Sequence, residues 1–134
     1  MKIVVDTNVL ISGIFFGGFP RAVIEGIVNK TVEASASIEI IKEYEEIVHE
    51  MISRKQGHLS EDVLSLFVQS LEIIVPQSSI SVCRDSADNK FLECAVDSKA
   101  MLVVSGDKDL LVLKKIDDIE IVTAKEFVEK YIHK

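Results

Sequence analysis

Two short apolar runs in this chain end in the same way. Ile3-Val4-Val5 passes directly into Asp6-Thr7-Asn8, and Met101-Leu102-Val103-Val104 passes into Ser105-Gly106-Asp107. Unbroken runs of Val, Ile and Leu of this length suit strands of a parallel sheet covered on both faces. In such a sheet, ligands sit in the crevice beyond the carboxyl ends of the strands. Two strands that each deliver an Asp to that edge therefore imply a shared acidic site. Converging carboxylates repel one another unless a cation neutralises them, and a hard divalent ion with oxygen ligands is the natural candidate.

Strand and helix patterns alternate along the rest of the chain. Strands are predicted near 2–6, 31–36, 72–76, 101–105 and 119–122, and helices near 8–15, 20–29, 38–54, 60–71, 88–98, 107–115 and 124–132. The alternation predicts an α/β fold, a three-layer α/β/α sandwich around a mainly parallel five-stranded sheet. Gly17-Gly18 breaks the first helix and Pro20 suits the first turn of the second. Ser60 is the expected N-cap of the fourth helix, and Thr123 with Glu126 forms a capping-box pattern for the last. Gln77 to Ser81 reads as a loop. No repeat, low-complexity tract or linker interrupts the 134 residues, so one domain over 1–134 is expected.

Composition narrows the function classes. Hydrophobic residues make up 48% of the chain and the mean hydropathy is +0.28, high for a small domain, which predicts an apolar surface used in self-association. No apolar run approaches the ~18 residues that span a bilayer. The short stretch Val9 to Phe16 follows Asp6 and lacks a basic flank, so neither a membrane span nor a signal peptide is expected. Cys83 and Cys94 form no CxxC pair and read as free buried thiols of a cytoplasmic protein. His49, His58 and His133 lack zinc-ligand spacing. The net charge of −7 and pI near 4.9 argue against nucleic-acid binding through a broad basic face. Bound divalent ions offset that charge only locally.

Further acids stand out from their surroundings. Asp6 and Asp107, taken singly, also read as ordinary helix N-caps. Asp88 opens the predicted helix 88–98 with Phe91, Leu92 and Ala95 at i+3, i+4 and i+7, which places it on the apolar stripe. A charge turned toward a core needs a partner. In the helix 38–54 the apolar face is Ile40, Ile41, Tyr44, Ile47, Val48 and Met51, with Glu39, Glu43, Glu46 and Glu50 forming an acidic stripe. Glu43 is the stripe member nearest the apolar face and Glu45 flanks its other side. Periodicity leaves both open.

The chain resembles the PIN domain family of metal-dependent ribonucleases over essentially its full length. Val5-Asp6-Thr7-Asn8-Val9-Leu10-Ile11 looks like the family's N-terminal signature. Gly17-Gly18-Phe19-Pro20-Arg21 resembles the turn of its toxin-like prokaryotic branch. Ser37 followed by Glu43 is similar to the spacing that carries the second acid, which selects Glu43 over Glu45. The segment from Asp88 to Ala95 resembles the third acidic block and Ser105-Gly106-Asp107 the fourth. Two positions depart from the pattern without removing a carboxylate. Asp85 is not followed by the proline often found there, and Ser105 stands where Thr is common.

The resemblance implies Asp6, Glu43, Asp88 and Asp107 as catalytic, metal-holding residues, with one or two Mg²⁺ or Mn²⁺ ions. Thr7, Asn8, Ser105, Asp85 and Asp109 are accessory candidates. It also implies an RNA substrate, a cognate antitoxin protein and a two-fold homodimer. The expected chemistry is in-line hydrolysis of a phosphodiester by water activated at a divalent ion. Lys42, Arg84, Lys90 and Lys108 neighbour the four acids and are candidates to guide a phosphate backbone. Phe15, Phe16 and Phe19, with Val23, Ile24, Ile27, Leu64, Phe67 and Leu71, are the apolar residues expected to supply a helical dimer interface. One rival reading is a non-catalytic PIN-fold module that serves RNA processing or binds an antitoxin. Another is a phosphate-handling doubly wound domain. Asp6 is followed by Thr7-Asn8 rather than an Asp-x-Asp motif, and no GxxxxGK loop exists, which disfavours the second rival.

Overall fold

Val4 and Val103 lie side by side at the centre of a sheet, each with its side chain fully buried. The computed structural model describes residues 1–55 and 58–132 of the protein. In chain order the elements are β1 (Lys2–Val5), α1 (Thr7–Phe15), α2 (Gly18–Val28), β2 (Glu33–Ser37), α3 (Ile38–Lys55), α4 (His58–Gln69) and β3 (Leu71–Ile74). A 3₁₀ turn (Ser86–Asp88) then leads into α5 (Asn89–Ser98), β4 (Leu102–Val104), α6 (Lys108–Leu111), β5 (Lys115–Ile116), β6 (Ile119–Val122) and α7 (Ala124–Phe127). A π-helical turn, Val128–Ile132, continues α7.

The sheet order is β3-β2-β1-β4-β6-β5, parallel throughout except for the β5–β6 pair. The sheet therefore has six strands rather than the five expected. The additional strand is a two-residue antiparallel edge, and it shortens the predicted helix 107–115. That helix stops at Leu111 because Lys114 adopts a left-handed φ of 60° and Lys115 enters β5. Other boundaries move by a few residues. The strand expected at 72–76 is 71–74, leaving Pro76, which has no N–H for a ladder, outside it. The helix expected at 60–71 begins at His58, so Ser60 lies inside it rather than at its N-cap, and the Ser60 side chain lies outside the described residues. His133 and Lys134 also lie outside them.

β1 runs between β2 on one side and β4 on the other, so the chain crosses over in both directions from it. This is the topological switch point at which open parallel sheets bind ligands. Ile3, Val4, Val5, Leu102, Val103 and Val104 fill the core beneath that point, as two-face burial requires. Tyr44 and Phe67 meet edge to face with centroids 5.6 Å apart, joining α3 to α4. Ser37 ends β2 and accepts the Ile40 N–H at 3.2 Å, opening α3. The Thr123–Glu126 capping box forms with both reciprocal hydrogen bonds.

Helices α1 and α2 meet at 100°. Gly17 and Gly18 turn the chain there with φ of 86° and 69°, a region open to glycine. Arg21 closes the end of α1 by donating to the Gly13 and Ile14 carbonyls at 3.0 and 3.2 Å. The apolar faces of α2 and α4 pack inward. Val23, Ile24, Ile27, Leu64 and Phe67, expected at an intermolecular interface, are buried core residues, and Leu71 is half-buried. Among the described residues no single helix is long and apolar enough to cross a membrane.

Candidate functional site

The carboxyl end of β1 delivers Asp6 and that of β4 delivers Ser105. The two ends are locked together, since the Asp6 N–H donates to the Val104 carbonyl at 3.0 Å. Ser105 Oγ donates to Asp6 Oδ2 at 2.6 Å and accepts the Asp107 N–H at 2.9 Å. One buried hydroxyl thus orients two acids. Asp107 also N-caps α6, its Oδ1 accepting the Asp109 N–H at 2.8 Å. A cap of α6 and a place beside Asp6 thus coexist in one residue.

Glu43 arrives from the first turns of α3. Its Oε2 accepts a hydrogen bond from Thr7 Oγ1, and its Oε1 lies 2.9 Å from Lys90 Nζ. Glu45, the alternative that periodicity left open, is exposed. Asp88 sits at the junction of the 3₁₀ turn and α5, with Phe91, Leu92 and Ala95 of the same stripe buried. It is itself only 9% exposed, and its Oδ2 has no hydrogen-bond partner. A buried carboxylate oxygen left unsatisfied is rare and calls for a ligand or a proton.

Asp6, Asp88 and Asp107 feel one another's charge, and Glu43 acts on Asp6. Burial, reinforced by the charges of Asp107, Asp6 and Asp85, pushes the Asp88 carboxyl up to about 7. Burial also raises Asp6, as do Asp107 and Glu43, against the lowering effect of the Ser105 hydroxyl and the Asn8 N–H. Among the described residues, no group of three Asp, Glu, His or Cys side chains is placed so that it could hold a metal ion as it stands. Asp6, Glu43 and Asp107 have each turned to a donor of their own, whereas Asp88 Oδ2 has none.

The accessory candidates separate into those inside the cleft and those on its rim. Thr7 and Ser105 are buried within it. Asn8 is exposed, Asp85 is exposed and accepts the Ala87 N–H, and Asp109 is half-buried with Arg84 at 3.9 Å. A recess of about 230 Å³ beside Ser105 is lined by Val9, Pro20 and Ala124 together with Asn8, Ser12, Gly106 and Thr123, neutral groups some of which can hydrogen-bond phosphate and sugar oxygens. Lys42 and Lys108 are exposed, as is Arg84, whereas Lys90 is buried inside the cleft. The sequence marked Lys90 only as a neighbour of an acid. Its burial has no local signature because its partner, Glu43, lies on another helix. Cys94 is buried, which pushes its thiol up to about 12, while Cys83 is only half-buried; both are free.

A family model described as PIN domain matches residues 2–109. An uncharacterised protein of Methanocaldococcus jannaschii is 34% identical over 146 aligned positions, covering 98% of this chain and 92% of its own length. Among solved structures, the crystal structure of VapBC2 from Rickettsia felis bound to a DNA fragment from their promoter has a TM-score of 0.60. It covers 90% of this chain and 97% of its own at 16% identity, a likeness of fold.

Proposed function

The chain belongs to the PIN domain family, whose members are in general nucleases, and from that premise we propose that it is a divalent-metal-dependent endoribonuclease. The observation that carries the reading is the buried, unpartnered Asp88 oxygen within electrostatic range of Asp107 and Asp6. Oxygen-only donors, one of them unsatisfied and all of one sign, fit a hard cation such as Mg²⁺ or Mn²⁺. Asp6, Asp88 and Asp107 would hold it. When bound, such an ion supplies activation of a water nucleophile and neutralisation of charge on the leaving oxygen.

The remaining groups prepare the substrate and the acids. Ser105 fixes Asp6 and Asp107 relative to each other, and Thr7 fixes Glu43 at the cleft edge, where it orients the attacking water. The neutral recess beside them receives the sugar-phosphate chain without adding to the repulsion a polyanion meets on a protein of net charge −7. Attack by water needs no 2′-hydroxyl, so the preference for RNA rests on family membership. The role of toxin in a toxin–antitoxin pair, acting in the cytoplasm, is part of this reading and rests on the likeness of Gly17-Gly18-Phe19-Pro20-Arg21 to the family's toxin-like branch; the likeness to VapBC2 is one of fold.

The test is cleavage of single-stranded RNA by the purified protein in Mg²⁺ or Mn²⁺, compared with Asp6→Asn. Activity that needs the metal and disappears in Asp6→Asn supports the reading. Equal cleavage by Asp6→Asn and the wild type refutes it. A folded wild type that binds the metal and cleaves nothing returns the non-catalytic module.

A further inference from the structure

Lys90 stands inside the acidic cleft. Its ammonium lies 2.9 Å from Glu43 Oε1, donates to the Ala87 carbonyl at 2.5 Å, and sits 4.9 Å from the centroid of the Phe91 ring. Its side chain is 9% exposed. An ammonium is costly to bury unless it is paired, so this one is held in place by the cleft's own carboxylate.

That arrangement divides the acids unequally. Both oxygens of Glu43 are engaged, one by Lys90 and one by Thr7. The unsatisfied oxygen lies at the other end of the cluster, on Asp88, whose electrostatic neighbours are Asp107, Asp6 and Asp85. With all four carboxylates ionised and Lys90 charged, one divalent ion brings the group to within a single charge of neutrality. Two ions turn it net positive, and the second has to approach a fixed ammonium.

We propose that Lys90 is a built-in cation occupying the Glu43 end of the cleft, so that the site takes one divalent ion, held by Asp6, Asp88 and Asp107. Glu43 is then a positioning residue, held by Lys90 and Thr7, rather than a metal ligand. The inference rests on the reading of the cleft as a divalent-metal site and deepens it by fixing the number of ions and the side they bind.

Counting bound Mn²⁺ by electron paramagnetic resonance of the free ion, during titration of the full chain at pH 8, tests it without reference to activity. The wild type is expected to saturate at one ion per chain. Lys90→Met is expected to take up a second, and Lys90→Met combined with Glu43→Gln to return to one. Glu43→Gln alone, which keeps Lys90, is expected to retain one ion with affinity within about tenfold of the wild type, the effect of one nearby charge in a partly hydrated cleft. It carries the test if circular dichroism finds Lys90→Met unfolded. Two ions on the wild type, one ion still on a folded Lys90→Met, or loss of the ion in Glu43→Gln overturns the inference and leaves the nuclease reading standing. No Mn²⁺ bound by the wild type at millimolar concentration overturns both.

Discussion

Tyr44 donates its hydroxyl proton to the carbonyl of Val5, the residue immediately before Asp6. Its neighbour on α3, Glu43, accepts from Thr7, the residue immediately after Asp6. Two consecutive helix residues therefore grip the chain on either side of the first acid. Burial, reinforced by Cys94, Asp6 and Glu43, raises the Tyr44 phenol well above its ordinary value and keeps it a donor at any pH of interest.

Tyr44→Phe leaves the Val5 carbonyl without that donor in a buried setting. The expected loss is about 1–3 kcal/mol, the usual cost of stranding a buried polar group. Urea denaturation should give a lower midpoint with an unchanged slope. A midpoint equal to that of the wild type would mean that the hydroxyl contributes nothing to joining α3 to β1.

Asp88→Asn removes a charge that burial and three acidic neighbours disfavour. The raised folded-state pKa means that ionised Asp88 weakens the fold, with the loss developing as pH rises from the unfolded value near 3.9 through about 7. At pH 8 with a chelator present, Asp88→Asn should melt at the same temperature as the wild type or higher. Its metal-dependent cleavage should fall by at least about a hundredfold. A melting point several degrees lower in calorimetry would contradict the electrostatic account.

Gly13 marks the closest approach of α1 and α2. A Cβ there would lie 2.7 Å from Ile24 Cγ1 and 2.8 Å from the Pro20 carbonyl oxygen. The Ile24 contact can relax by rotation, but the backbone contact cannot, so Gly13→Ala should cost about 1–3 kcal/mol as overpacking. Thermal unfolding measures it, and an unchanged melting temperature would mean that the two helices separate freely.

Asp97 holds the loop after β3. Its Oδ2 accepts the N–H groups of Gln77 and Ser78 at 2.6 and 2.9 Å, and its Oδ1 accepts the Ser78 hydroxyl at 2.5 Å. These bonds, the Ser78 hydroxyl first, lower its pKa. A lowered folded-state value gives stability that is present above the unfolded pKa of about 3.9 and is lost as pH falls through the folded one. The Gln77 and Ser78 amide resonances should therefore shift together in NMR spectra, with a midpoint below about 3.9. Asp97→Asn should abolish that transition, and a midpoint at or above the ordinary carboxylate value would sink the assignment.

Self-association should use apolar surface left over after the core is filled. Phe16 is 67% exposed and Leu66 51%, and Leu66 borders a groove of about 560 Å³ between α1, α2 and α4 that includes Ile14, Ile24, Val28 and Val63. A two-fold dimer through this face is expected, since isologous pairs are the commonest assembly. Light scattering at micromolar concentration should give twice 14.9 kDa. A concentration-independent mass of 14.9 kDa would exclude the dimer.

The parts of the fold that were legible in the sequence are those with a strong local cause. β1 and β4 announce themselves because burial on both faces demands unbroken Val, Ile and Leu, and the capping box at Thr123 is a purely local pattern. β5 did not, because two residues carry no periodicity; its turn depends on Asp117 at a φ of 50°, a conformation Asp tolerates. Within the site, strand ends pointed to Asp6 and Asp107, and the apolar stripe pointed to Asp88. Helix periodicity leaves Glu43 and Glu45 open, and the family-like spacing from Ser37 favours Glu43; the burial of Lys90 depends on a contact with another helix, which no local pattern encodes.

β4 inserts between β1 and β6, although β1 and β2 are made long before it. A nascent chain that has emerged only through α4 carries Asp6 and Glu43 but neither Asp88 nor Asp107. The parallel pairing that unites them spans most of the sequence, and contacts of such high order form late and slowly. Translation itself thus imposes a delay between the first acid and a finished cleft, since the four carboxylates cannot meet until the chain has emerged through Asp107.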